Sequence, residues 1–486
     1  MSVRMHRRSF FKTTAVASAA LALPAVSWNR VYGANDALRV AVVGFKGRGN
    51  DHINSFLRIP GVRVAALCDC DQRVLDGAVS KLKEQGHDVK GYLDVRDCIA
   101  DKDIDIISTA TPNHWHALIS VWACQANKDV YLEKPVSHNV WEGRKAVEAA
   151  RKYRRIVQTG TQSRSSHAIQ EAVDWVAAGN IGKIKVARGL CYKARASIGK
   201  VDGPQPIPEH IDYNLWCGPA PMSPLMRQNL HYDWHWVFET GNGDLGNQGI
   251  HQMDIARWFL GEMELSPVVL SVGGRLGYVD DGDTPNTQVA YHGYAKAPLI
   301  FEVRGLPKDK AGQAEWGRNM DRYRGGSVAV VVECEGGHVL VPNYNSAIAY
   351  DKDGTELKRW NGTRNHYENF IAAVRSRQVE DLTADILEGH LSSALCHTGN
   401  ISHQLGKEQS VGAIREQIRE HASLEEAYDR MVEHLQANEV DLDADRITLG
   451  VGLRMDPSSE RFRGNREANR LLTREYRAPF VVPEVV

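Results

Sequence analysis

Three short stretches carry residues whose types and spacing could do chemistry. The first is VAVVGFKGRGNDHI, residues 40–53. Gly44, Gly47 and Gly49 close an apolar run with the spacing G-x-x-G-x-G. In a glycine-rich strand-to-helix turn the first glycine makes the tight bend and the last lets helix and strand pack closely. The middle one lets the backbone approach a pyrophosphate. Gly44 and Gly49 hold the outer places and Lys46 the middle one, with Phe45 and Arg48 completing the turn. The closest approach then shifts to Gly47, and Lys46 can meet phosphate charge. Asp69 lies twenty positions after Gly49, at the end of the next apolar run. A carboxylate there accepts hydrogen bonds from ribose hydroxyls and repels a 2′-phosphate, which favours NAD over NADP. The competing reading is a strand-to-helix turn without ligand.

The second stretch is EKP, residues 133–135. Pro135 restrains Lys134 away from the helical region, so Lys134 should sit where the strand DVYLEK leaves the sheet. That is the carboxyl end, where open α/β sheets bind ligands. A lysine beside a nicotinamide can hydrogen-bond a reacting hydroxyl and lower its pKa as the proton leaves. The third stretch is NQGIHQMDIARWFL, residues 247–260. Asn247, His251 and Asp254, spaced by four and three, share one face if the stretch is helical, with Gly261 as its stop.

Softer candidates are Tyr192, Lys193 and Arg195 in CYKARASIG, and His231, Asp233 and His235 in HYDWHW. Such polar and aromatic mixtures suit a carbohydrate, whose faces stack on rings; each residue could equally be sheet surface or core. A metal at His231 and His235 lacks an assignable third ligand, and no metal site is assigned.

These residues need a scaffold. LRVAVVG, VRVAALCD, IDIISTATP, KDVYLEKP and RIVQTGTQ read as strands, with helical patterns such as NHWHALISVWACQAN and VWEGRKAVEAARKY between them. That alternation predicts a doubly wound parallel sheet over residues 35–162, a Rossmann domain of an α/β protein. Residues 163–405 change character. After the helix AIQEAVDWVAAGNIG come alternating stretches such as IKVARGLCYK and TQVAYHGYA. They predict a large, mostly antiparallel sheet with one open face. Residues 406–486 form a charge-rich extension with an amphipathic helix near SLEEAYDRMVEHL and an extended, apolar end. It could pack on the body or on a neighbouring subunit.

The bulk composition agrees with a globular chain: 486 residues, 43% hydrophobic and 24% charged. A formal net charge of −1 supplies no basic field for nucleic acid. The eight cysteines show no C-x-x-C, and free, mostly buried thiols are expected over a disulfide framework. The opening MHRRSFFKTTAVASAALALPAVS pairs Arg7 and Arg8 before an alanine-rich run too short and weakly apolar to span a membrane. It resembles a twin-arginine export signal over residues 1–34, which implies a periplasmic protein exported already folded. The alternative is a disordered basic tail.

TPNHWH at residues 111–116, EKP, the glycine-rich turn and GNGDLGNQGIHQMD together resemble the Gfo/Idh/MocA oxidoreductases, over most of residues 38–405. The extension resembles a subgroup of exported bacterial members. The resemblance implies a Rossmann domain followed by an α/β domain with a large open sheet, and oxidation of a sugar or cyclitol hydroxyl. It adds Thr111, Asn113, His116, Glu133 and Lys134 to the cofactor-binding residues. It makes Lys134, His251 and Asn247 catalytic, and leaves Tyr192, Lys193, Arg195, His235 and Asp254 to the substrate. Asn247 stands where members commonly carry an aspartate; asparagine can orient a substrate but cannot take a proton. The resemblance also implies a homo-oligomer.

Outside the cytoplasm there is no obvious pool of free NAD, so a tightly held, internally recycled cofactor is expected. One alternative is a redox-neutral glycosidase that oxidises, eliminates, hydrates and re-reduces. A second is a non-catalytic nucleotide-binding protein, and a third a cytoplasmic dehydrogenase.

Overall fold

A computed structural model describes residues 37–444 and 446–486. The expected export segment lies outside the described residues. The first sheet is built from six strands: β1 (Leu38–Val43), β2 (Val62–Cys68), β3 (Lys90–Tyr92), β4 (Ile106–Thr109), β5 (Asp129–Leu132) and β6 (Val157–Thr159). All neighbours run parallel in the order β3-β2-β1-β4-β5-β6. Period-two alternation splits each apolar run between two cores. Ala41 and Val43 pack under Leu118 and Val121 of helix Asn113–Gln125 and Ala146 of helix Val140–Lys152. Val40 and Val42 face Ile53 and Phe56 of helix Gly49–Phe56, and Phe370 of the distant helix His366–Ser376. Strand order reverses between β1 and β4, which opens a crevice above their carboxyl ends.

The second sheet has twelve strands. They are β7 (Ile184–Tyr192), β8 (Val268–Gly274), β9 (Thr287–His292), β10 (Leu299–Arg304), β11 (Val328–Cys334), β12 (Gly337–Asn343), β13 (Ser346–Asp351), β14 (Glu356–Asn361), β15 (Lys407–Gln409), β16 (Ile447–Leu449), β17 (Leu453–Asp456) and β18 (Arg461–Phe462). The main path is β14-β13-β12-β11-β7-β10-β9-β8-β16-β15, antiparallel except where β7 meets β10. Helices His167–Ala177, Ile250–Leu260 and Ile386–Gln404 bury one face through Ile169, Met253 and Leu395.

The other face is covered over most of its width and open only at the β14 edge. Helices Val411–Ile418 and Ala422–Ala437 lay Ile414, Leu424, Met431 and Leu435 on Val186, Leu270, Val272 and Ile300. Met320 and Tyr323 close the neighbouring part of the sheet. The extension thus supplies both a cover and strands, where sequence patterning gives only one amphipathic helix and a tail. The tail's end does pack on the body: Phe480, Val482 and Val486 are buried in the core of the first sheet. Among the described residues no helix is long and apolar enough to cross a membrane. All eight cysteines are free, and all but the half-buried Cys70 are buried.

Candidate active site

The crevice above β1, β2, β4 and β5 opens into a cavity of about 750 Å³. Its walls come from the ends of those strands, from the residues around the start of helix Ile250–Leu260, and from the loop holding Tyr232 and Trp234. Five sequence-selected residues of the turn region, Gly44, Phe45, Lys46, Gly47 and Arg48, line it together with Asp69.

The turn is shaped by what a side chain would meet. Gly44 has φ +72°, and a Cβ there would lie 2.8 Å from Thr111 Cγ2. At Gly49 a Cβ would sit 2.2 Å from the Gly44 carbonyl oxygen, so helix and strand approach as closely as glycine permits. Gly47 meets nothing within 4 Å and opens on the cavity. Asp69 is tied to the turn: it accepts from Phe45 N–H at 3.2 Å and Asp71 N–H at 3.0 Å. Burial raises its carboxyl to about 6 against those two donors, so it is still ionised at neutral pH. A bare backbone cradle facing a carboxylate at the neighbouring strand end fits the pyrophosphate and ribose of a dinucleotide.

Glu133 holds the floor. It accepts from Arg48 Nε at 2.8 Å and the Lys134 N–H at 3.0 Å, and meets His52 Nε2 at 3.3 Å. Burial works against its charge, but His52 and Arg48 hold the carboxyl well below its usual range. Arg48 is thereby engaged with Glu133 and Asp51. Asn113 donates to Asn242 at 2.9 Å, and the His116 ring lies between the carbonyls of Pro135 and Thr111 at 2.5 and 2.8 Å. These residues fix the loop that carries Lys134.

Lys134 leaves the carboxyl end of β5 and donates from Nζ to the backbone carbonyl of Asn247. Burial lowers its pKa, opposed by the charge of Glu133. Asn247 lies in a π-turn, Leu245–Gly249, leading into helix Ile250–Leu260, which Gly261 ends in the left-handed conformation. Single π-turns of this kind recur at functional sites. His251 lines the same cavity, its ring 4.9 Å from that of Tyr344. Burial, then the charge of Lys134, lowers its pKa to about 3, so the imidazole is neutral. Its Nδ1 is buried without a hydrogen-bond partner among the described residues.

Lys193 and His235 also line the cavity, whereas Tyr192, Arg195 and Asp254 do not. Tyr192 is buried and donates to Glu302 at 2.7 Å. Arg195 clasps Asp244 at 2.8 and 2.6 Å, and Asp254 receives both arms of Arg164 at 2.8 Å. Each is drawn from the cavity by an opposite charge or acceptor that sequence spacing does not reveal. His231 meets Asp71 at 3.1 Å, Asp233 accepts from Asn229 at 3.0 Å, and His235 stacks on Trp234. Sequence reasoning misses the cavity residues Gln162, Trp216, Gln248 and Tyr344. Gln162 follows the end of β6 and was findable by the carboxyl-end rule; Tyr344 sits in a hairpin turn with no motif around it.

Comparison with known proteins agrees with this geometry. Residues 38–161 match the Gfo/Idh/MocA oxidoreductase family's NAD-binding Rossmann fold, and 167–301 match its C-terminal alpha/beta domain. The chain is 29% identical over 180 residues to inositol 2-dehydrogenase of Salmonella typhimurium, covering 37% of this chain and 52% of that one. It is 33% identical over 158 residues to glycosyl hydrolase family 109 protein 2 of Shewanella sp. ANA-3, covering 28% and 35%. The matches therefore span about half and about a third of those relatives' own lengths. In fold alone, the chain resembles levoglucosan dehydrogenase in complex with NADH and levoglucosan (17% identity, TM-score 0.54, 74% of this chain and 95% of that one). It likewise resembles the WlbA dehydrogenase of Bordetella pertussis in complex with NADH and UDP-GlcNAcA (17%, 0.53, 74% and 94%). With both halves of its architecture matched, the chain belongs to the Gfo/Idh/MocA family of oxidoreductases.

Proposed function

We propose that the protein oxidises a hydroxyl of a sugar or cyclitol, using NAD held in the cavity and recycled without leaving it. The observation that carries this is the meeting of Lys134 and His251 in the cavity that also holds the glycine-rich turn and Asp69. Gly44, Gly47 and Asp69 would hold the dinucleotide, which when bound supplies a hydride acceptor at its nicotinamide.

The chain's own residues supply the rest. Lys134 Nζ, anchored on the Asn247 carbonyl, would donate a hydrogen bond to the reacting hydroxyl oxygen and stabilise the charge that grows there. His251, neutral across the physiological range, would accept a hydrogen bond from the reacting hydroxyl. The burial and the Lys134 charge that keep it neutral also make it a weak base, so it would take the proton only as negative charge grows on the substrate oxygen beside it. Because Lys134 bonds the Asn247 carbonyl, this anchor does not need an acidic side chain at position 247. Aromatic walls at Trp216, Tyr232 and Trp234 would stack on a sugar face. Export through a twin-arginine signal, with the cofactor carried inside the folded protein, belongs to the same proposal.

Mass spectrometry of small molecules released by denaturing the purified mature protein, prepared without added cofactor, tests it. Near-stoichiometric NAD or NADH is expected. Reversible binding to an empty protein would make it an ordinary dehydrogenase, and no binding would leave a non-catalytic protein. The likeness to the family 109 protein favours one second reading, a redox-neutral glycosidase. Release of a free reducing sugar without net NADH would establish that reading.

A further inference from the structure

Beside the main cavity lies a second recess of about 780 Å³, and the two share Lys193 and Gln248. Its wall carries four cations, Lys193, Lys308, Arg318 and Arg322, against a single carboxylate, Asp309. That carboxylate accepts from the Gly312 N–H at 2.8 Å, closing the turn Ala311–Glu315. Among the described residues neither Lys193 nor Lys308 has a carboxylate within ion-pair distance, and Arg318 makes only an exposed contact with Glu315 at 3.7 Å. Such exposed pairs neutralise little.

The charges behind the recess do not compensate it. Arg430 spans Glu302 at 2.6 Å and Glu426 at 2.7 Å, and Arg304 is bound by Asp321 at 2.5 Å. Arg188 reaches Glu426 at 2.6 Å. Those carboxylates, buried at Glu302, partly buried at Asp321 and exposed at Glu426, are already matched by arginines, so the cations on the wall stand unneutralised in a concave surface, which concentrates their field. Lysine and arginine in this arrangement suit a carboxylate or phosphate through charge-assisted hydrogen bonds.

We propose that the substrate is a saccharide carrying an anionic group, with its reacting hydroxyl in the main cavity and its anion in this recess. The inference rests on the sugar-oxidising reading above and names the class of sugar. Lys193 and Gln248, on the boundary, would read the part of the sugar between the two.

The test supplies the mature chain with NAD and compares glucose, glucuronate, galactose, galacturonate and glucose 6-phosphate. Conversion of each sugar is followed by chromatography with mass spectrometry, which registers turnover whether or not the cofactor is released, and binding by calorimetry at low and high salt. An anionic sugar should exceed its neutral counterpart in kcat/KM. The double variant Lys308→Gln, Arg322→Gln should remove about tenfold of that preference, as expected for a lost charge-assisted hydrogen bond, and spare the neutral sugars. Preference for the uronates or for the phosphate identifies the anion. Equal handling of neutral and anionic sugars, or no effect of the double variant, overturns the inference. If no sugar is oxidised, the oxidoreductase reading fails and calorimetry alone judges the recess. Salt-sensitive binding lost in the double variant then supports the recess, and anything else overturns it.

Discussion

The chemistry at residue scale turns on two groups that burial has moved in useful directions. Lys134 is held by a backbone carbonyl and pushed towards its neutral form, while Glu133 beside it is fixed as an anion by His52 and Arg48. A lysine so placed would hand hydrogen-bond strength to a substrate oxygen rather than bind the nucleotide. Lys134→Met should therefore cut turnover by about 10²- to 10⁴-fold while leaving the Kd for NAD unchanged; a stopped-flow and titration pair would measure both. Asp69 makes a second prediction with a definite sign. Its carboxyl, raised to about 6 by burial, repels a 2′-phosphate only while ionised. As pH falls from 7.5 to 5 the affinity for NADP should rise relative to NAD, and Asp69→Asn should abolish that pH dependence. Fluorescence titrations of both nucleotides across that range would reveal it.

The glycine-rich turn shows at element scale why an irregular fingerprint still builds a cradle. Gly49 is demanded by contact between helix and strand, Gly47 by open space in front of it. The two should fail differently. Gly49→Ala forces a Cβ against the Gly44 carbonyl and should cost about 1–3 kcal/mol, seen as a lower Tm without ligand. Gly47→Ala has room, so Tm should hold while nucleotide affinity drops. The turn and the parallel strands were legible because apolar runs and glycine spacing are local signals. The three-residue β3, the exposed β14 and strands β15–β18 were not, being short, exposed or paired with partners far along the chain. The site divides in the same way. Strand-end residues such as Asp69 and Lys134 reach the cavity as their spacing implies. Asp254 shares a helix with His251 but is captured by Arg164, ninety residues away, and helical spacing cannot report that.

The extension ties the whole molecule together, and its last residues reach back to the cavity wall. Phe480 packs edge-on against Trp115 at 5.4 Å, and Trp115 Nε1 donates to the carbonyls of Leu215 and Trp216 at 3.0 and 3.2 Å. Leu215 and Trp216 line the cavity. Arg477 grips the same short helix, Tyr213–Cys217, through the carbonyls of Asn214 and of Gly218 at its end, at 2.8 and 2.9 Å, and Arg474 holds the Glu239 carbonyl at 2.8 Å. The chain's end thus braces this wall from behind, while the preceding helices cover part of the large sheet. Loss of a buried phenylalanine costs about 3–5 kcal/mol, more than local docking of a terminus can absorb. In Phe480→Ala the tail should therefore detach before the body unfolds. Trypsin should then cut after Arg474 and Arg477, sites that stay intact in the wild type, and intact-mass spectrometry would register the shortened chain. The undigested variant should also bind substrate more weakly, because Trp115 and Trp216 lose their support, while NAD affinity, set by the turn and Asp69, should fall less. A tail that detached with no change in substrate binding would show that the wall stands without it.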